Sequence, residues 1–208
     1  MRPISDLAQW AGDLPVVLVA AASDAPARRL LLRELAARVL QLAPDAVVIA
    51  HREGRAPRLA MPPETTGLHL SSASRAGLAA LAVGRVALGV DIEAVEPGRE
   101  PPWNVLHPDE RAWLAGLSAP EQARSFALLW AAKEAYLKAL GIGLAREPSS
   151  FVILPGQIAG SMRLVDPARA GAGVRLSAEI VAHGGRDFAV ALAELTVRGG
   201  SQDDGSIL

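Results

Sequence analysis

Strand-like and helix-like stretches alternate along this sequence, and the order repeats in its second half. Together these predict an α+β fold of two similar α/β lobes around one cleft. A third observation agrees: Gly77-Leu78-Ala79-Ala80-Leu81-Ala82-Val83 and Phe188-Ala189-Val190-Ala191-Leu192-Ala193 are alike as short, alanine-rich apolar runs. The expected division is residues 1–84 and 85–198. Residues 199–208, polar and rich in glycine, are expected to be a disordered tail.

The first element is a strand over 16–21, a continuous apolar run of the kind a buried strand shows. Asp6 and Asp13 lie upstream of it, where an export signal would carry positive charge, so the run reads as core and the protein as cytoplasmic. Ser23-Asp24-Ala25-Pro26 then starts a helix over 27–42. Leu31, Leu35, Val39 and Leu42 recur on it at helical spacing, with Arg28, Arg29, Arg33 and Arg38 spread around. A short β-branched run follows over 46–50. The proline and glycine content near Gly54 to Pro57 and Met61 to Pro63 marks an irregular, exposed stretch. Closely spaced strands are predicted over 68–70, 77–83 and 86–92.

His107-Pro108-Asp109-Glu110 opens a short helix, with proline in the first turn and acids at the positive end of the dipole. Ser118-Ala119-Pro120-Glu121 has capping-box spacing before the strongest helix of the chain, over 120–140, which Gly141 and Gly143 stop. Strands close the sequence near 151–154, 174–182 and 188–195.

Composition narrows the function classes. The 208 residues are 50% hydrophobic and 21% charged, enough to bury a core and far from the composition of disordered chains. No apolar run reaches the ~18 residues of a membrane-spanning helix. With no cysteine there is no disulfide framework, thiolate metal site or thiol nucleophile. A formal charge of −1 gives no global attraction to nucleic acid or to an acidic membrane. P-loop and dinucleotide-binding glycine fingerprints are missing from the sequence.

Two clusters carry chemistry. In Gly89-Val90-Asp91-Ile92-Glu93 the strand period places Asp91 and Glu93 on one face and Val90 and Ile92 on the other. A D-x-E pair is also what a solvated strand face looks like, but here the preceding residues 86–89 are wholly apolar, as in a buried strand ending at a site. On the long helix, Phe126, Leu129, Trp130, Leu137 and Leu140 form an apolar stripe that Lys133 interrupts, while Glu134 and Lys138 sit four apart at its edge. Alone, that pair equally describes an ordinary surface ion pair. Together, three carboxylates without His or Cys form a hard-oxygen set suited to Mg²⁺ and phosphate oxygens, and the lysines suit a phosphorylated substrate.

The paired signature Gly89-Val90-Asp91-Ile92-Glu93 and Trp130-Ala131-Ala132-Lys133-Glu134-Ala135-Tyr136-Leu137-Lys138 resembles that of 4'-phosphopantetheinyl transferases, G-x-D-I-E followed by W-x-x-K-E-x-x-x-K. Gly54-Arg55-Ala56-Pro57, Leu68-His69-Leu70-Ser71-Ser72 and Leu106-His107-Pro108-Asp109-Glu110 resemble further motifs of that family. The length is similar to the surfactin-type (Sfp-type) branch, a monomer with pseudo-twofold lobes and the active site in the cleft between them.

The resemblance implies transfer of phosphopantetheine from coenzyme A to a serine of an apo acyl or peptidyl carrier protein, releasing adenosine 3',5'-bisphosphate. It implies Mg²⁺ held by Asp91, Glu93 and Glu134, with Glu134, Lys138 and Lys133 catalytic. It also implies a coenzyme A side drawn from Arg28, Arg29, Arg33, Arg55, Ser71, Ser72 and Arg75. A carrier-protein surface with Trp103, Val105, Leu106 and Glu110 completes the set. One departure stands out: Ser72 replaces the family's histidine, and His69 its asparagine, so His69 or Arg75 is expected to compensate for the lost positive charge. A non-catalytic homologue that binds coenzyme A or a carrier protein is the other reading that this departure motivates.

Overall fold

The computed structural model describes residues 1–52, 55–61, 67–170 and 173–196. Within them the chain forms a mixed α/β fold. Its elements are β1 (Val16–Ala21), α1 (Ala25–Leu40), β2 (Val48–Ala50), β3 (Arg58–Met61), β4 (His69–Arg75), β5 (Leu78–Gly84), β6 (Leu88–Ala94), α2 (Pro108–Ala115), α3 (Ala119–Ala139), β7 (Val152–Pro155), β8 (Ser161–Val165), β9 (Gly173–His183) and β10 (Arg186–Thr196). Residues 199–208, expected as a tail, lie outside the described residues, as does Gly54 of the Gly54 to Pro57 stretch.

Three antiparallel sheets result, ordered β1-β5-β4, β6-β10-β9-β8-β7 and β2-β3. Strand β1 is apolar throughout because both of its faces are covered. Val16 and Leu18 pack with α1, whereas Val17 and Val19 face the other way and meet Leu88, Val90, Ile92, Phe188, Val190 and Leu192 of the five-stranded sheet. The inward faces of the two larger sheets thus share one apolar cluster. The alanine-rich β5 and β10 each have a hydrogen-bonded neighbour on both sides and apolar packing on both faces, which accounts for their similar composition.

Helix α1 departs in part from the expected pattern. The helix is capped by Asp24, whose carboxylate accepts from the Ala27 N–H at 2.8 Å, and it ends where Gln41 turns left-handed (φ 58°). It buries Leu32, Leu35, Ala36 and Ala37, and of the expected stripe Leu31 and Val39 are half-buried against the same cluster. The two alanines widen the buried stripe beyond the leucines; Leu42 lies past the helix end and is exposed. Residues 58–61, expected to be irregular, pair as β3 with β2, and β8 was not foreseen.

Helix α3 is held by a capping box between Ser118 and Glu121 and lies on β6 and β10. Its floor is Ala189, Ala191 and Ala193, all buried. At Gly89 the approach is closer still: a Cβ there would stand 2.1 Å from the Ala135 carbonyl oxygen and 2.5 Å from the Ala139 nitrogen. Glycine opens the signature because helix backbone occupies the space any side chain would need.

Candidate active site

Strand β6 delivers the two carboxylates as its alternation requires. Val90 and Ile92 enter the inter-sheet cluster, and Asp91 and Glu93 turn toward α3. Contrary to a solvated strand face, Asp91 is 6% exposed. Its Oδ1 accepts from Lys138 Nζ at 2.6 Å, and the same ammonium also donates to the Val90 carbonyl at 3.3 Å. Its Oδ2 is buried with no hydrogen-bond partner. The strand is steadied from β4: the Val90 N–H donates to Ser71 Oγ at 3.0 Å in a buried contact between the two sheets.

Glu134 joins from α3, half-buried. All three carboxyls are held above the ordinary carboxylate range. Burial is the main cause for Asp91, partly offset by Lys138. Burial followed by the charges on Asp91 and Glu134 pushes Glu93 up to about 7, against the pull of Arg75. Burial and then the Asp91 charge raise Glu134. Mutually repelling carboxyls with little water around them store a demand for positive charge.

The donor chemistry fits Mg²⁺. All three donors are hard oxygens, and the orphaned Asp91 Oδ2 is a buried acceptor that a cation would satisfy. Among the described residues no three His, Cys, Asp or Glu side chains converge into a ready-made cage, so water and ligand oxygens would have to complete the shell.

On the other face of β4 the charge reverses. Arg28, Arg29, Arg52, Arg55, His51 and Ser72 line a cavity of about 390 Å³. Arg28 donates to Ser74 Oγ at 2.8 Å, which fixes one wall to the strand. Burial, and then the charges of Arg29 and Arg28, hold the His51 imidazole below its ordinary pKa, so it is neutral at pH 7. Of the residues expected on the coenzyme A side, Arg28, Arg29, Arg55 and Ser72 come together here, with Arg52 and His51 not anticipated.

Three others do not. Arg33 lines a neighbouring cavity with Leu30, Val47 and Ile49. Ser71 is engaged by Val90, and Arg75 pairs with Glu93 (Nε to Oε2, 3.3 Å) and Glu96 (3.7 Å). Arg75 therefore does not replace the missing histidine. Its strand position sends it to the carboxylate face, one residue out of phase with Ser72 and Ser74.

Lys133 also needs correction. It is fully buried, paired with Glu110 at 2.7 Å and donating to the carbonyls of Pro148 (2.7 Å) and Phe151 (2.9 Å), with Nζ 4.2 Å from the Phe151 ring centre. Adjacent helical residues diverge by ~100°, so Lys133 points into the core while Glu134 faces β6. It braces α3 and does not reach the carboxylates. The carrier-surface expectation fails at two positions for the same reason: Leu106 and Glu110 are fully buried. Glu110 Oε1 further accepts from the Ile153 N–H at 2.7 Å, and its Oε2 from the His107 N–H at 2.9 Å. Trp103 and Val105 are half-buried against the core beneath α3.

Beside Glu93 opens a cleft of about 240 Å³, with Phe126, Ala127 and Trp130 on one side and Arg75, Glu96 and Arg99 on the other. Behind the site Tyr136 donates to Asp166 (2.6 Å), which also accepts both arms of Arg146 (2.6 Å each).

The fold is thus a mixed α/β one in which carboxylates of β6 and α3 are met by a lysine, and an arginine-lined cavity opens across β4. The model of the 4'-phosphopantetheinyl transferase superfamily matches residues 87–193, more than half of the chain, and the chain belongs to that superfamily. Among solved structures it is similar to a holo-acyl-carrier-protein synthase of Thermotoga maritima: 27% identity over 54% of this chain and 64% of the other, TM-score 0.40. The match thus spans less than two thirds of that relative. Two Chronobacterium ammoniagenes structures, an ACPS–CoA complex (22% identity) and an apo ACPS (20%), are each matched over 54% of this chain and 98% of theirs, with TM-scores of 0.38. A search of curated proteins gives no match. Among the described residues no helix is long and apolar enough to cross a membrane.

Proposed function

We propose that this protein moves the 4'-phosphopantetheine group of coenzyme A onto a serine of an apo acyl or peptidyl carrier protein, releasing adenosine 3',5'-bisphosphate. The observation that carries this reading is the Lys138–Asp91 contact at 2.6 Å beside the half-buried Glu134 and the orphaned Asp91 Oδ2. It sets an ammonium and a base together where pyrophosphate oxygens would bind. Mg²⁺, held by Asp91, Glu93 and Glu134, would neutralise pyrophosphate charge.

The remaining work falls to the chain's own groups. Glu134, or a water it orients, takes the proton from the carrier serine; its raised affinity for a proton suits a general base. The serine oxygen bonds to the phosphorus that carries pantetheine, and the bond from that phosphorus to the leaving bisphosphate oxygen breaks. Lys138, already beside Asp91, offers charge to the oxygens that become more negative. The pocket of Arg28, Arg29, Arg52 and Arg55 takes the 3'-phosphate, and these guanidiniums supply the charge that Ser72 lacks. That compensation favours a working transferase over a non-catalytic homologue.

On this reading the protein is a cytoplasmic monomer of surfactin type. Residues 1–84 and 85–198 form its two pseudo-symmetric lobes, and Trp103 and Val105 lie toward the carrier. The test is an intact-mass assay of apo acyl- and peptidyl-carrier proteins incubated with the protein, coenzyme A and Mg²⁺. A gain of one phosphopantetheine, absent with Glu134→Ala, is expected. No gain on any carrier, with coenzyme A still bound, would establish the non-catalytic homologue instead.

A further inference from the structure

Each carboxylate that β6 presents is met by a cation of the chain itself. Asp91 has Lys138, and Glu93 has Arg75. Lys138 belongs to the signature helix, but Arg75 comes from the other sheet, from the last position of β4. Behind it lies a turn whose two residues, Ala76 (φ 49°) and Gly77 (φ 82°), both adopt left-handed backbone. The base of the side chain is thus fixed, and the guanidinium reaches across to the second sheet. It is about half exposed there, whereas Glu93 is only 20% exposed.

Arg75 also has somewhere else to go. Glu96 Oε1 lies 3.7 Å from its other arm, and Glu96 is itself bonded to Arg99. A guanidinium shared between two carboxylates, one in the candidate cation site and one outside it, can leave the first without losing an ion-pair partner.

We propose that Arg75 is an internal occupant of the divalent-cation site: it compensates Glu93 while no metal is bound and must swing toward Glu96 before Glu93 can join the metal. Arg75 thereby sets the affinity of the site for the cation, keeping it weaker than the three carboxylates alone would make it. This rests on the reading of Asp91, Glu93 and Glu134 as the cation site. Two effects act in the same direction. An incoming ion has to break a partly exposed ion pair, and a positive charge a few ångströms from the Glu93 oxygens repels a dication. Together they weaken binding by roughly three- to tenfold, and added salt reduces the effect because the guanidinium is reachable by solvent.

The measurement is Mn²⁺ titration, by the loss of the free-ion paramagnetic resonance signal, of the full chain and its Arg75→Gln and Asp91→Asn variants. Coenzyme A is left out, and folding is checked by melting. Arg75→Gln is expected to bind Mn²⁺ about three- to tenfold more tightly than the unaltered chain, with a smaller gap at high salt. Unaltered or weaker binding by Arg75→Gln, while Asp91→Asn loses the ion, would overturn the role of Arg75 and leave the cation site standing. Binding by neither the unaltered chain nor Arg75→Gln, or binding that survives Asp91→Asn, would overturn the cation site itself and the proposal with it.

Discussion

Replacing Gly89 by alanine adds one methyl where α3 rests on β6. The new Cβ would lie 2.1 Å from the Ala135 oxygen, 2.5 Å from the Ala139 nitrogen and 2.8 Å from Lys138 Cβ. Two of the three atoms are backbone, so no rotamer change relieves the clash. To restore ordinary contact the helix has to lift by about 1 Å, or the strand has to sink into a close-packed inter-sheet cluster. Overpacking of a core costs typically 1–3 kcal/mol, and backbone against backbone puts this site at about 3 kcal/mol or above.

Activity should fall further than stability. The residues that lift are those carrying Glu134 and Lys138, and a misplacement of about 1 Å costs on the order of a hundredfold in rate. Urea denaturation gives the first number, and carrier-protein mass gain, measured where the variant is still folded, gives the second. Gly116→Ala is the control: its nearest neighbour, the Trp113 oxygen, stands at an ordinary 3.5 Å. A Gly89→Ala protein as stable and as active as the control would refute the argument that helix backbone fills the space above Gly89.

Lys133→Met should destabilise the protein by about 3–5 kcal/mol, because it strands Glu110 as an uncompensated buried charge. Adding Glu110→Gln should recover part of the loss in the same urea titration. Arg29→Ala and Arg55→Ala should each raise the KM for coenzyme A by about tenfold while leaving that for dephospho-coenzyme A nearly unchanged; steady-state kinetics with both substrates decides it. The bidentate bonds from Arg146 hold the Asp166 carboxyl below its ordinary 3.8. The folded state then takes up that proton less readily than the unfolded one. The contribution is therefore complete above the unfolded pKa and lost as pH falls through the depressed folded value. Arg146→Met should accordingly be less stable than the unaltered chain at about pH 6, and the gap should narrow toward about pH 3.

Elements whose residues all serve one purpose were legible in the sequence. Strand β1 is legible over its full length because every residue in it is apolar; β6 is legible as a strand because its apolar and acidic positions alternate, though it runs two residues later than the expected 86–92. The α3 boundaries followed from Ser118, Glu121 and Gly141. What failed depends on partners distant in the sequence. The buried face of α1 includes Ala36 and Ala37, which pack with β5 residues far along the chain and which a leucine pattern does not reveal. Lys133 interrupts an apolar stripe, and that signal was visible, but Glu110 decides its meaning and no periodicity links the two. Arg75 stands three positions from Ser72, near enough in sequence to suggest one ligand, but strand alternation over 71–75, like that over 89–93, separates them. Arg52 and His51 lay in a stretch without a pattern, and only folding brings them beside Arg28.

Strand β4 serves both halves of the site. Ser72 and Ser74 look toward the arginine cavity, while Ser71 meets the β6 backbone and Arg75 reaches Glu93. The serine that braces β6 and the serines that wall the arginine cavity therefore belong to one strand. A slip of one residue in the β4–β5 pairing would exchange the two sets, turning Ser72 and Ser74 to β6 and Arg75 into the arginine cavity. Deletions or insertions at Ala76 and Gly77 should for that reason be as damaging as substitutions within the two cavities.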